Sequence, residues 1–489
     1  MEPGTQDCGQ LALAQSIPAP NRLRSKRGDS FSSSTMYLLL LKAGILGILL
    51  SPQVLDGKEQ YEGHQVLEVV PQNEVQVTCL KDICRSSLLD LWIPLEPDGI
   101  RVRTKVHVRI PSTALQSVKE DLLRCSLDFK ILIENVKDIV GRIKENKNVR
   151  HKRSLENYNY EQYHPMEEIY SWITQMADNN KDFITQHSLG ETYELRPMQY
   201  LKISQPSSQP KKIVWMDCGI HAREWIAPAF CQWFVKEIVQ SCQSDPKMKK
   251  ILSNVDVYVL PVLNIDGYTY TWTHERLWRK SRSKYHNGTC YGVDLNRNFD
   301  VNWCVEGSST NCSSNAFCGD SPASEPETKA LVNFVEKWKS DIICYLSIHS
   351  YSQLILTAYG YTTELPKNYN ETVKVAQMAA SELKKIHGTD YLAGTFAEQL
   401  YKASGTSQDW LCNQGIDFSY TLELRDNGTN QFILPEDQIR PTCEETMAAV
   451  MTIIEYINDK YFPNVASVSS VSLWLFTFTA LQIVLCGLY

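Results

Sequence analysis

Between Ser154 and Tyr461, short apolar runs alternate with longer amphipathic segments, and no other feature constrains the fold as strongly. The runs KIVWM (Lys212 to Met216), VYVLPVL (Val257 to Leu263), ICYLSI (Ile343 to Ile348) and SYTLEL (Ser419 to Leu424) read as strands. PAFCQWFVKEIVQ, ETVKVAQMAASELKKIHG and EETMAAVMTIIEYINDKY read as helices, each with one apolar face to bury. Strands interleaved with such helices predict an α/β fold, a mainly parallel or mixed sheet with helices on both faces. Ligands of such sheets bind beyond the strand ends. No internal repeat interrupts the pattern.

A chain of 489 residues exceeds one ordinary domain, so a large unit of roughly 300 residues and a smaller companion are expected. The companion lies between about Gln60 and Asp138, where the pattern reads strand, helix, strand, helix. Its clearest strand is GIRVRTKVHVRI (Gly99 to Ile110), in which apolar and basic residues alternate. STALQSVKEDLL (Ser112 to Leu123) follows with helical spacing and Ser112 as its N-cap. After this small α+β unit comes a polar linker carrying RHKR (Arg150 to Arg153), an exposed basic cluster open to proteolysis.

Both ends carry targeting signals. From Met36 the run MYLLLLKAGILGILLS is too short to span a bilayer comfortably and reads as a secretory signal, preceded by a polar, Ser-rich extension expected to be disordered. The C-terminus ends in SLWLFTFTALQIVLCGLY with no Lys or Arg after it. A removed glycolipid-anchor signal is expected in preference to the alternative, a retained single-span helix; either keeps the protein on the outer face of a membrane. Fifteen cysteines suit an oxidising compartment. The sequons at Asn287, Asn311, Asn370 and Asn427 permit glycosylation. A net charge of −7 supplies no basic surface for phosphates, which sets nucleic acid aside. Nothing calls for an obligate dimer, so a monomer is expected.

The chemistry is concentrated after two of the strands. IVWMDCGIHAREW places His221 and Glu224 three apart just beyond one strand, and His349 follows another in ICYLSIHS. Two imidazoles and a carboxylate leave a tetrahedral zinc one open position, the arrangement of a catalytic site. Short HxxE matches are common and, standing alone, describe a satisfied histidine beside a surface acid.

Longer segments decide between these readings. HAREW, RLWRKSRS, DLNRNFD, SIHSYSQ, ASGTSQDW and TLELRD stand in the order found in the metallocarboxypeptidases, and from about Tyr61 to Tyr461 the chain resembles that family, the A/B type with a pro-domain. The resemblance implies a mixed, twisted sheet flanked by helices and a pro-domain that covers the active site until cleaved. It divides the chain into a disordered extension (1–35), a signal peptide (36–55), an α+β activation pro-domain (56–140), a processing linker (141–153), the catalytic domain (154–462) and an anchor signal (463–489).

By the same resemblance His221, Glu224 and His349 match the ligands of one Zn2+, and Glu423 in TLELRD matches the general base. Such a base takes a proton from water and returns it to the leaving amine. The bland reading of Glu423 is a strand acid paired with Arg425. Arg279 in LWRKS matches the donor that meets the tetrahedral oxyanion. Arg223 matches a residue that draws in substrate, Asn296 and Arg297 match the pair gripping a free C-terminal carboxylate, and Tyr401 matches the tyrosine that closes over it. Disulfides Cys218–Cys231, Cys290–Cys312 and Cys304–Cys318 are implied by disulfide-bearing relatives, with Cys312 about one residue from the expected register; Cys79, Cys84, Cys242, Cys344, Cys412 and Cys443 stay unassigned.

Gln408 falls where the family sets the choice of departing side chain. The nearest-looking branch is a glycolipid-anchored digestive type that selects acidic residues with an Arg at this position. Gln408 lacks that charge, but its amide can donate to a carboxylate or a polar group, so polar or acidic C-terminal residues are expected. Three rivals remain: a catalytically silent membrane-bound binder on the same fold, a deacylase of N-acyl amino acids, and a processing enzyme of the regulatory branch. The filled catalytic positions argue against the first, the carboxylate grip, Tyr401 and the pro-region against the second, and Gln408 with the pro-region against the third.

Overall fold

Strand β7 (Lys212–Cys218) is buried along nearly its whole length and sits near the middle of an eight-stranded sheet, which is why its sequence is almost continuously apolar. The computed structural model describes residues 60–86, 89–145 and 158–463, all within the unit Asp56–Tyr489. The signal read from Met36, the RHKR cluster and the C-terminal tail lie outside the described residues. Among those described, no helix is long and apolar enough to cross a membrane.

The smaller unit is a four-stranded antiparallel sheet of β1 (Gln65–Val69), β2 (Asp90–Ile93), β3 (Val106–Ile110) and β4 (Phe129–Ile133), in the order β2-β3-β1-β4. Helices Glu74–Ser86 and Leu115–Arg124 share with it a core of Leu67, Leu80, Val108, Val118 and Leu122. A disulfide, Cys79–Cys125, ties the two helices together. Two local expectations need correction. The strand expected from Gly99 begins only at Val106, because Pro97–Gly99 forms a 3-10 turn and Thr104 N–H closes a second turn onto Arg101 O. Ser112 does not cap the next helix: Ala114 N–H bonds back to Pro111 O, and this turn moves the cap to Ala114.

The larger sheet comprises β5 (Ile184–Glu191), β6 (Pro197–Ile203), β7, β8 (Val255–Leu260), β11 (Ile342–Ser350), β12 (Leu354–Thr357), β13 (Leu392–Thr395) and β14 (Phe418–Leu424). A two-residue hairpin, β9 (Lys284–Tyr285) with β10 (Cys290–Tyr291), stands apart. The order is β13-β12-β14-β11-β7-β8-β6-β5, with β14, β11, β7 and β8 parallel and antiparallel pairings at β12/β14, β8/β6 and β6/β5. The expected mixed sheet is therefore present, flanked by helices such as Ile226–Ser244, Tyr369–His387 and Ile439–Tyr461.

Phe230, Phe234, Val235 and Ile238 put one face of Ile226–Ser244 into the core, each contributing roughly 1.5–3 kcal/mol of burial. Tyr369–His387 ends where Gly388 takes φ +76°, a left-handed cap that glycine adopts without strain. Pairs Cys218–Cys231, Cys290–Cys312 and Cys304–Cys318 form disulfides, leaving Cys84, Cys242, Cys344, Cys412 and Cys443 as thiols among the described residues.

Candidate active site

The parallel register brings the C-terminal ends of β7, β11 and β14 together. His349 stands opposite Glu423 across β11/β14, and Ile348 stands opposite Cys218 across β11/β7. Gly219 follows Cys218 at φ +66°, and a Cβ there would come within 3.0 Å of Pro228, so this sharp exit from β7 needs glycine. The exit carries His221 and Glu224 back over the strand ends toward His349. A second tether is Asn264, fully buried, whose amide nitrogen reaches Ile220 O (3.2 Å), Arg279 O (3.3 Å) and Lys280 O (3.0 Å). Ala222 N–H bonds to Arg279 O at 3.0 Å. The HAREW loop and the RLWRKS loop are thus held as one unit.

His221, Glu224 and His349 converge with one ligand atom each inside 4.8 Å. His221 Nδ1 lies 2.7 Å from Glu224 Oε1, and His349 Nδ1 lies 3.1 Å from His221 Nδ1 and 3.2 Å from Glu224 Oε2. Both Nε2 atoms point away to other partners: His221 Nε2 to Asp294 Oδ1 (3.2 Å) and His349 Nε2 to Ser347 Oγ (3.0 Å). A ring that donates Nε2–H outward to such a partner turns its Nδ1 lone pair inward, which is the tautomer a metal requires. The donor set, two neutral imidazoles and a carboxylate, suits zinc.

Asp294 is the functional residue that sequence reasoning passed over, although DLNRNFD contains it. Its carboxylate accepts from His221 Nε2, from Asn296 N–H (3.0 Å), and from Arg279 Nε (3.1 Å) and Nη2 (2.9 Å). Burial alone would push this carboxyl up, but the charges of Arg279, then His221 and Arg297, hold it well below the usual carboxylate range. One anion therefore positions a member of the trio, the Arg279 guanidinium and the short turn Leu295–Arg297. Its partner His221 is 73 residues away in the chain, which explains why spacing gave no hint of it.

Glu423 is buried and does not pair with Arg425, whose guanidinium is taken by Glu445 at 2.5 Å; the bland reading of this acid fails. Burial and the neighbouring Glu224 charge push the Glu423 carboxyl well up, opposed by His221, Arg279 and Arg297. Arg297 is locked by bonds from Nε to Gly307 O (2.8 Å) and Nη1 to Asn296 O (2.7 Å), and Nη2 lies 3.5 Å from Tyr401 Oη. Asn296 Oδ1 accepts from Ser407 N–H at 2.9 Å. These groups, with Phe396, Leu400 and Phe432, line a cleft in which about 30 Å³ stays open while the N-terminal unit is docked. Gln408 lies next to Ser407 on the helix Ser407–Asn413, fully buried, and among the described residues neither of its amide atoms has a hydrogen-bond partner.

The small N-terminal unit closes this cleft. Trp92 and Ile93 of β2 line it, and Trp92 stacks edge-on to Phe432 with ring centroids 5.0 Å apart. Asp90 lies 3.6 Å from Arg223, accepts from Arg109 (2.9 Å) and Trp92 Nε1 (2.8 Å), and receives a bond from Asn315 (2.8 Å). Arg223 also lies over the Phe432 ring at 4.0 Å. Further bonds join Tyr61 to Glu275, Glu96 to Ser314, and His107 to Tyr351 (2.7 Å).

A family model described as zinc carboxypeptidase matches residues 169–449. The chain belongs to the zinc carboxypeptidase family. A second model, for the carboxypeptidase activation peptide, matches residues 67–141, the unit that closes the cleft. The chain is 60% identical to carboxypeptidase O of Bos taurus over 308 residues, covering 63% of this chain and 82% of the relative. It is 42% identical to carboxypeptidase B of Rattus norvegicus over 406 residues, covering 83% and 96%. Among solved structures, that of thrombin activatable fibrinolysis inhibitor shares 39% identity and a TM-score of 0.76, covering 81% of this chain and 99% of the other.

Zinc carboxypeptidases are hydrolases that use one zinc ion to act on peptide C-termini, and this member carries an activation pro-domain and the disulfides of a secreted protein. The His221, Glu224 and His349 trio fits that ion by its donor types and by the outward engagement of both Nε2 atoms.

Proposed function

We propose that the processed chain removes single residues from peptide C-termini, with His221, Glu224 and His349 holding one zinc and Glu423 serving as general base. The observation that carries this reading is the convergence, at the ends of three adjacent parallel strands, of that trio with Glu423 and the Asp294-anchored Arg279. When bound, zinc supplies a Lewis acid and lowers the pKa of water to near neutrality. Glu423, whose proton affinity burial raises, takes the proton of the attacking water and delivers it to the amide nitrogen as the C–N bond breaks. Arg279, fixed by two bonds to Asp294, presents its charge to the oxyanion. Asn296 and the locked Arg297 bind the free terminal carboxylate, Tyr401 closes over it, and Arg223 draws substrate in once Asp90 has left. Only a chain end bears that carboxylate, so the grip defines an exopeptidase.

Side-chain choice belongs to Gln408. Its amide has an unused donor and an unused acceptor, which supports a preference for polar or acidic terminal residues. A second reading, an apolar preference, draws on the Phe396 and Leu400 walls, which pack with Leu354, Leu356 and Ala403. In the cell the enzyme is a monomer made with a signal peptide at 36–55, cut in the linker 141–153, glycosylated, and held at the outer face of the plasma membrane by the tail 463–489.

Hydrolysis of blocked dipeptides ending in Glu, Gln, Leu, Phe, Lys or Arg by processed enzyme tests the reading, alongside Gln408→Leu. Release of Glu or Gln in preference to Leu, reversed by Gln408→Leu, supports it. Preference of the parent for Leu or Phe makes the pocket apolar, and no release from any dipeptide leaves a silent binder.

A further inference from the structure

The two histidines of the trio are oriented by different devices. His221 donates directly to the Asp294 carboxylate, and that carboxylate is neutralised by Arg279. His349 donates to a hydroxyl, and behind the hydroxyl stands a second buried acid. Ser347 and His349 are two apart on β11, so their side chains share a face, and Ser347 is the register partner of Asp217 on β7. Ser347 Oγ donates to Asp217 Oδ1 at 2.9 Å and lies 3.0 Å from His349 Nε2. Trp215 Nε1, two residues before Asp217 on the same face, donates to Asp217 Oδ2 at 3.1 Å.

A serine hydroxyl has one proton. Asp217 takes it, so toward His349 the oxygen acts as acceptor, and the imidazole must carry its proton on Nε2. We infer that Ser347 and Asp217 are positioning residues for the zinc ligand His349, fixing its Nε2–H tautomer through a hydroxyl relay so that Nδ1 is free for the metal. The inference rests on His349 being a zinc ligand.

The placement of Asp217 is otherwise hard to account for. It is fully buried, and among the described residues no Lys, Arg or His makes an ion pair with it. Placing a carboxylate there costs folding free energy that an apolar residue on β7 would not. Burial pushes its carboxyl up, and the bonds from Ser347 and Trp215 only partly offset this. A cation held by His349, one hydroxyl away, gives that buried charge a partner.

The relay also dictates which substitution breaks it. In Asp217→Asn the side chain keeps its size but has one acceptor and one donor. With its oxygen toward Ser347 the amide NH2 meets the Trp215 N–H; turned over, the NH2 donates to Ser347 Oγ. The hydroxyl proton then points at His349 Nε2 and forces the proton onto Nδ1. The first orientation keeps the relay but buries two donors against each other, so the turned-over amide is favoured, and it is this orientation that disfavours the metal-binding tautomer.

The test is zinc affinity, measured by chelator competition on the full chain and followed in parallel by the visible spectrum of the cobalt-substituted protein, for Ser347→Ala, Ser347→Thr, Asp217→Asn and His349→Ala. The expected result is a loss of about 10–100-fold in zinc affinity for Ser347→Ala and Asp217→Asn, with an altered cobalt spectrum and recovery in Ser347→Thr. If His349→Ala abolishes tight binding while folded Ser347→Ala and Asp217→Asn bind zinc as the parent does, the relay has no positioning role. If His349→Ala itself leaves zinc affinity unchanged, the ligand reading is what fails. Should Ser347→Ala not fold, the isosteric Asp217→Asn decides alone.

Discussion

Replacing Asp294 with Asn strikes three functional groups through one atom change. The carboxylate accepts four bonds: from His221 Nε2, Asn296 N–H, and Arg279 Nε and Nη2. An asparagine offers a single acceptor atom. If that oxygen faces Arg279, the NH2 group opposes two donors, His221 Nε2–H and Asn296 N–H, and His221 moves its proton to Nδ1, the atom that faces Glu224. If the oxygen faces His221, the NH2 group meets the Arg279 guanidinium, which is left buried without its main counter-charge. The first orientation weakens zinc by about 10–100-fold. The second costs about 10²–10³ in kcat through loss of a fixed oxyanion donor. Removing one partner of a buried ion pair also costs about 3–5 kcal/mol of stability. The assays are chelator competition for zinc, kcat at saturating zinc on a blocked dipeptide, and denaturant unfolding. A folded Asp294→Asn enzyme within about 3-fold of the parent in both zinc affinity and kcat would refute the view that this carboxylate couples the site, since either orientation must cost at least 10-fold in one of them.

Two further outcomes are expected. With Glu423 in the proposed role of base and not ligand, Glu423→Gln is expected to lower kcat by about 10²–10⁴ and to leave zinc affinity unchanged; equal losses in both would make it part of the metal site. His107, buried against Tyr351 and facing Glu68, Lys105 and Asp426, has its pKa lowered first by burial, which the Glu68 contact only partly opposes. The docked pro-domain thus binds fewer protons than the free one. Its hold on the cleft is full above the ordinary histidine value of about 6.5 and weakens as the pH falls below it. The activity of unprocessed chain, taken as a ratio to processed enzyme at each pH, should rise between about pH 6.5 and pH 5, and His107→Gln should flatten that rise; a ratio independent of pH contradicts it.

The sequence announces first contacts better than the groups behind them. His221, Glu224 and His349 stand just after strands whose apolar runs are plain, so both the sheet and the trio could be read ahead. Asp294, Ser347 and Asp217 could not. The Asp217–Ser347 contact spans 130 residues and depends on the β7/β11 register, which no local pattern encodes. Asn264, which ties the two active-site loops together, looks like any helix cap until its three carbonyl partners are seen. In the pro-domain, β2 is four residues long and takes its place from pairing with β3 and docking of Trp92, so alternation gave no sign of it. Cys79 stayed unassigned because connectivity depends on two helices packing together.

The most direct test of the central claim compares two peptides of identical sequence, one with a free C-terminus and one amidated, incubated with processed enzyme with and without a zinc chelator. The account predicts stepwise release of single amino acids from the free peptide only, abolished by the chelator and restored by added zinc. Cleavage of the amidated peptide at a comparable rate, or release unaffected by zinc removal, would contradict it.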